Sequence, residues 1–464
     1  MQNKIRPLSF WEAVIVLILV LGIMGVGVIG LGISPQVPVM LALGFVIVWA
    51  RWRHVDWATV NVGVVEGIEK GIIPIFIFIL IGAMISTWIA AGTIPTLMVI
   101  GFKLISVKWF LPSVFIACAL VGMAVGSTFT VVSTVGLACF GMGITMGLNP
   151  ALVAGTIISG SVFGDKLSPL SETNNLTSAV MGLNLFTHMR NLFWSIFPAG
   201  AISLILVTIL GHTTTTVSWT RIQQTVTVLQ QSFKLSFWAL VPIILIFACV
   251  ILKMPAIPTM LLNIFVSAVL LLIEHPNLAL KHLAHIITDG YVAHTSSASV
   301  NQLLSRGGII SMMPTVALIV LTLSLGGLLV KFGLIEAVMT PIAEKLTSDG
   351  KLVFAALAAS IGVNLFVGEQ FLSIILPGRA FKTAFQQGGL TNGALGRVLE
   401  DGGTVVNYLV PWSVGGVFLA NTLGVATIDY LPFTFFSLLC PVMSLISGFA
   451  GIGLQHLKPQ LKSL

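Results

Sequence analysis

Asp165, Lys166 and Glu172 stand together in the run Gly160-Ser-Val-Phe-Gly-Asp-Lys-Leu-Ser-Pro-Leu-Ser-Glu-Thr-Asn-Asn175, flanked by nearly pure hydrocarbon. A charged side chain at bilayer depth costs at least about 2.5–3.5 kcal/mol on insertion scales, so charges in such a place mark a site where something polar binds or passes. Pro169 removes a backbone donor and clashes with a carbonyl one turn earlier, which predicts a break in any helix through this run. Gly160 and Gly164 add backbone freedom on the approach. Unwound backbone at membrane depth survives only where it is buried in protein or lines a cavity. The break would set carbonyl oxygens beside Asp165, Ser168, Ser171, Glu172, Thr173 and Asn174. Carboxylate, hydroxyl, amide and carbonyl oxygens are the ligands of a hard cation; softer metals want Cys or His. Asp165, Ser171, Thr173 and Asn174 are the candidate Na⁺ ligands. Asp165 can also take a proton, so Na⁺ and H⁺ would compete for one carboxylate. Lys166 is placed to compensate Asp165 or Glu172 when the cation is absent.

The elements that must position these groups are membrane helices. Of 464 residues, 56% are hydrophobic and 8% charged, against about 25% charged in a soluble domain. Windows long enough to span roughly 30 Å of hydrocarbon recur at 10–33, 72–91, 192–210, 235–252, 309–330 and 433–453. About 10–12 membrane segments are expected, counting re-entrant pieces, in an all-α polytopic membrane protein. The apolar stretch at 10–33 is too long for a cleavable signal and reads as the first span. Lys4, Arg6, Arg51 and Arg53 put both ends of the first helical pair on the cytoplasmic side. The net charge of +7 therefore reflects membrane orientation, and without a concentrated basic patch nucleic-acid binding is a poor reading. Cys118, Cys139, Cys249 and Cys440 sit singly in apolar runs and read as packing residues. His282, His285 and Asp289 share a helical face that reads as interfacial.

The chain also repeats itself. Gly126-Ser127-Thr128 recurs as Gly368-Glu369-Gln370, an offset of 242 that also carries Gly160 to Gly402, Asp165 to Asn407, Pro169 to Pro411 and Ser171 to Ser413. This divides the chain into an N-terminal pair (1–55), a first repeat (56–212), a connecting pair (213–280) and a second repeat (281–464). Transporters built from such halves hold their cargo between them, where broken helices offer ends and carbonyls to an ion. Ser127, Thr128, Glu369, Asp401, Asn407 and Ser413 join the candidate binding set on this basis. Arg379 is a candidate partner for Glu369, and Glu400 reads as a cap or a water-facing group. Glu66, Glu69 and Lys70 read as a solvated interfacial face.

Gly164-Asp-Lys-Leu-Ser-Pro-Leu-Ser-Glu-Thr-Asn-Asn-Leu176 resembles the signature of the NhaC family of Na⁺/H⁺ antiporters, Gly-Asp-Lys-x-Ser-Pro-x-Ser-Asp-Thr-Thr-Asn-Leu. Glu172 and Asn174 depart from it. The resemblance implies a bacterial inner-membrane secondary transporter with two inverted structural repeats containing broken helices and re-entrant hairpins. It implies Na⁺ and H⁺ as the transported partners, within a lipid bilayer and with no cofactor. A small carboxylate (malate/lactate type) or an amino acid is the alternative passenger, with Lys166, Arg379 or a half-helix N-terminus to receive it. A homodimer is a candidate assembly. No protease, metal-hydrolase or nucleotide-binding motif argues for an enzyme or for ATP drive.

Overall fold

The computed structural model describes residues 8–104, 107–213 and 219–457. Lys4 and Arg6, on which part of the orientation argument rests, lie outside them. Among the described residues seven helices are long and apolar enough to cross a membrane, and three pairs bent by 102°, 41° and 59° raise the number to ten. The count meets the lower end of the expected range, and the protein is an all-α polytopic membrane protein. The stretch expected as a span at 235–252 instead forms a sharply bent pair, Thr220–Ser232 with Phe237–Ile251, and the last span breaks between Phe433 and Phe435. Trp11, Ile15, Ile18 and Leu19 remain exposed along the Phe10–Gly25 helix, the kind of apolar surface that lipid covers.

The offset of 242 runs through the secondary structure. Ile72–Ala90 corresponds to Ile309–Lys331, Thr93–Leu104 to Leu334–Lys345, Phe110–Val125 to Asp349–Val367, and Glu172–Met181 to Val414–Leu423. The terminators coincide too. Gly126 and Gly368 end equivalent helices with φ of 71° and 69°, a left-handed conformation that disfavours any residue with a Cβ. The next residues, Ser127 and Glu369, cap the helices that follow by accepting from the Thr130 and Leu372 amides. One difference falls in the motif itself. Pro150–Lys166 is a single α-helix, whereas its counterpart Asn392–Leu399 widens into the π-turn Glu400–Thr404.

Two large apolar cores and one small one hold the bundle, and each half lends side chains to the other's main core. Phe418 of the second half stacks on Phe78 of the first at 4.7 Å, with Phe129 edge-on to Phe418 at 5.1 Å. Met181 of the first half is buried in the core formed mainly by the second half and the N-terminal pair. Gly160 and Gly164 lie inside the Pro150–Lys166 helix instead of loosening its approach. A Cβ at either would come within 2.4 Å of the Phe115 carbonyl oxygen or 2.1 Å of the Ala119 carbonyl oxygen. Small residues one turn apart let two membrane helices touch backbone to backbone, and here they dock Pro150–Lys166 onto Phe110–Val125.

Candidate functional site

The break around Pro169 is shorter than the sequence implies. The helix continues through Asp165 and Lys166, the chain unwinds over Leu167–Ser171, and Glu172–Met181 resumes. Four of the carbonyls around it are already occupied. The Asn174 side-chain amide donates to the carbonyls of Lys166 and Ser168, both at 3.0 Å. Asn175 donates likewise to Pro169 and Ser171, at 3.0 and 2.8 Å. Asn174 therefore braces the turn, although its own Oδ1 is buried without a partner. Ser168 is spent locally as well, accepting from the Leu170 amide at 3.2 Å.

Asp165 is 5% exposed. Its Oδ2 accepts from the Thr128 hydroxyl at 3.1 Å, the Ser171 hydroxyl faces the same carboxylate, and Oδ1 has no hydrogen-bond partner. Lys166, although near enough for its charge to act on Asp165, makes no direct bond to it. Its ammonium, 1% exposed, pairs with Glu400 of the second half at 2.7 Å and donates to Thr173 at 2.6 Å. Glu400, 0% exposed, also accepts from Thr177 at 2.6 Å and Thr404 at 2.7 Å, and His188 Nε2 stands 3.8 Å from its other oxygen. One lysine and one glutamate thus pair, and Asp165 is left beside them without an ion pair of its own. An isolated buried charge costs several kcal/mol even after relaxation, so this oxygen calls for a proton or a monovalent cation.

A cavity of about 320 Å³ opens beside it, lined among others by Ser127, Thr130, Glu172, Lys253, Glu369 and Gln370. Thr128 and Ser171, the partners of Asp165, are chain neighbours of lining residues, which sets Asp165 one layer behind the wall. Glu172 is exposed to this cavity and close enough to Asp165 for their charges to repel. Glu369, 2% exposed, commits Oε2 to the Leu372 amide at 2.8 Å. The mouth is therefore acidic, which favours entry of cations.

The second half's version of the motif is closed. Asn407, equivalent to Asp165, donates to Asn364 at 2.9 Å and to the Gly368 carbonyl at 3.2 Å, while its own oxygen accepts from the Gly415 amide at 2.9 Å. Ser413 caps its helix through the Gly416 amide at 2.9 Å. Both are fully engaged in holding backbone. Asp401 lies away from the cavity, accepting from Ser444 at 2.6 Å.

The structure thus gathers Asp165, Thr128 and Ser171, with Thr173 one bond further on, 3.1 Å from Ser171. It sets Ser127, Glu172 and Glu369 on the cavity, leaves Ser168, Asn407 and Ser413 as braces, and has Asn174 brace through its NH₂ group while its Oδ1 stays unpartnered. Two pairings expected from sequence are replaced. Lys166 bonds neither Asp165 nor Glu172, and Arg379 is exposed on the Gln370–Gln387 helix, without an ion pair, ten residues along from Glu369. Glu400 is no water-facing cap but the centre of the interhalf ion pair. Thr177, His188 and Thr404 around it carried no signal, because the offset of 242 takes Glu400 back to Ile158. Glu66 pairs at the surface with Lys331 at 2.8 Å.

The sequence profile of the Na⁺/H⁺ antiporter family matches residues 160–452, which include Asp165, Ser171, Glu172 and Glu369 but not Ser127 or Thr128. The chain belongs to the Na⁺/H⁺ antiporter family. It is 37% identical to the Na⁺/H⁺ antiporter NhaC of Alkalihalophilus pseudofirmus over 91% of this chain and 92% of that one. It is 35% identical to the Na⁺/H⁺ antiporter NhaC of Bacillus subtilis over 90% and 93%. The malate-2H⁺/Na⁺-lactate antiporter of Bacillus subtilis is 30% identical over 94% of each chain.

Proposed function

We propose that this family member exchanges Na⁺ for H⁺ across the bacterial cytoplasmic membrane, with Asp165 taking either ion in turn. The observation that carries the reading is the buried, partnerless Oδ1 of Asp165 beside a lysine already committed to Glu400. The Asp165 carboxylate with the Thr128 and Ser171 hydroxyls supplies the hard oxygens that replace water around Na⁺. A proton on the same carboxylate neutralises it equally well, so the two ions exclude one another at one seat. Alternating access would move the halves, 56–212 and 281–464, against each other about this seat, with the Lys166–Glu400 pair joining them.

Exchange with a small carboxylate or an amino acid is the second reading, motivated by the malate–lactate relative. The geometry favours it less. The expected anion partners are unsuited, Lys166 being occupied and Arg379 remote, and the cavity pairs the single Lys253 with two carboxylates.

Purified protein in proteoliposomes separates the readings. Na⁺ alone is expected to dissipate an imposed pH gradient in the wild type, and Asp165→Asn is expected to abolish this while melting and inserting like the wild type. Wild-type-like exchange by the variant removes Asp165 from the mechanism. A strict requirement for an organic solute replaces the first reading with the second.

A further inference from the structure

The second half contains a buried acid used by neither the Asp165 seat nor the cavity. Asp401 sits in the π-turn Glu400–Thr404, a local widening of the kind that concentrates at functional sites, and is 0% exposed. Ser444 donates to its Oδ2 at 2.6 Å, Ser195 faces it from the Leu185–Thr213 helix, and Oδ1 has no partner. Arg397, one turn earlier and 1% exposed, reaches Ser447 at 2.6 Å and the Gly453 carbonyl at 3.0 Å but leaves Nε unpaired. Those contacts meet the chain surface, where Gly451 and Ile452 are exposed. On the inner side His188, 0% exposed with both ring nitrogens unpartnered, stands 3.8 Å from Glu400, which holds Lys166. Buried polar atoms without partners are rare in folded proteins and each asks for a reason. Here Arg397, which contacts the Gly453 carbonyl, and Glu400, which holds Lys166 and stands by His188, both lie near enough for their charges to act on Asp401.

We propose that Asp401 carries a transported proton of its own, on a route separate from the Na⁺ cavity that reaches the surface near Gly451–Gly453. The inference rests on the Na⁺/H⁺ reading above. Na⁺ needs several oxygens, and only the Ser444 and Ser195 hydroxyls accompany this carboxylate, with a guanidinium one turn away to repel a cation. A proton needs a single lone pair, which Oδ1 has free. The step is the reversible making and breaking of one O–H bond at Oδ1, the proton arriving from water on one side and leaving to water on the other. The charged and titratable groups around Asp401 are Arg397 and Glu400 on its own segment, His188 beside Glu400, and Cys440 from the Phe435–Ala450 helix. The first half has no equivalent, since the position 242 residues earlier is Ser159.

The test compares the full-length wild type with Asp401→Asn in proteoliposomes. Two quantities are read: the H⁺ moved per Na⁺, from the gradients at which net flux reverses under a clamped potential, and the rate of ²²Na⁺/Na⁺ exchange at equal pH. The variant is expected to move one proton fewer per Na⁺ and to exchange ²²Na⁺ at the wild-type rate. An unchanged ratio overturns the proposal, and so does loss of ²²Na⁺ exchange, which would put Asp401 on the Na⁺ path. If Asp401→Asn fails to insert, Ser444→Ala decides. It is expected to move the pH of half-maximal exchange without changing the Na⁺ KM, and an unmoved pH profile overturns the proposal. A wild type that exchanges no Na⁺ for H⁺ sinks the proposed function itself; a working wild type with an unchanged variant ratio sinks only this inference.

Discussion

Glu400→Gln probes whether the interhalf ion pair is what keeps Lys166 off Asp165. The pair is 2.7 Å long, with its side chains 1% and 0% exposed. Removing one partner of such a pair leaves a buried charge unanswered, at a cost of about 3–5 kcal/mol. Lys166 has an obvious substitute in its chain neighbour Asp165. Two unit charges about 4 Å apart at an effective dielectric near 20 attract by about 4 kcal/mol. At about 1.4 kcal/mol per decade, that is an upper bound near 1,000-fold on Na⁺ affinity. Reorienting the lysine and losing its Thr173 bond offset part of this, so the Na⁺ KM is expected to rise between about 10- and 1,000-fold. The assay is Na⁺-dependent collapse of a fixed pH gradient in proteoliposomes, with thermal melting in detergent measured alongside. Lys166→Met/Glu400→Gln deletes both charges and is expected to recover stability and Na⁺ affinity together, because removing a whole buried pair is often close to neutral. A single variant with the wild-type KM, or a double variant no better than the single, refutes the idea that Glu400 reserves Asp165 for the cation.

The cap and cavity residues give sharper local expectations. Thr128→Val removes the hydroxyl on Asp165 Oδ2; a hydrogen bond to a charged group is worth about 1.5–3 kcal/mol, so the Na⁺ KM should rise roughly 10- to 100-fold with insertion unaffected. Gly164→Ala drives a methyl to 2.1 Å from the Ala119 carbonyl oxygen; overpacking of this kind costs about 1–3 kcal/mol and should appear as a lower melting temperature. Glu369→Ser copies its first-half equivalent, Ser127. It should preserve the cap on Leu372 and the melting temperature, yet raise the Na⁺ KM at low ionic strength, with the difference shrinking as salt screens the cavity.

What the sequence made legible was whatever carried its own anomaly. The charges at 165, 166 and 172 stood out against hydrocarbon, and Pro169 located the break to within a few residues. Gly126 and Gly368 were visible through their constant offset, and the structure gives both the left-handed φ of a helix terminator. Partners were not legible. Glu400 lies 234 residues from Lys166, and a Glu-Asp-Gly-Gly run reads like any turn until tertiary structure buries it. Asn174 was legible as a cation ligand through its amide oxygen, which the structure leaves unpartnered, but not as the brace its NH₂ group makes. Its orientation towards the Lys166 and Ser168 carbonyls depends on a break too short for those carbonyls to stay free. Gly160 and Gly164 show the same limit, since flexibility and close packing ask for the same residue.

The asymmetry between the halves follows from these contacts. Asp165, in the last turn of its helix, and Asn407, just past the π-turn that ends its own, occupy equivalent sequence positions, yet only Asp165 is left unsatisfied. Asn407 has both donors and acceptors for its surroundings, so it ties Asn364, Gly368 and Gly415 together and closes its half without a guest. A carboxylate has no donors, and Asp165 therefore cannot close its half alone. Its Oδ1 stays open for an ion, while Glu400, with no acidic counterpart in the first half, takes up the lysine that would otherwise fill that role. The second half thus contributes to the seat by absorbing a positive charge instead of supplying ligands. If Asp165 is the cation seat proposed above, it is set in the first half and kept free of lysine by the second, which is what two halves moving about a single cargo would need.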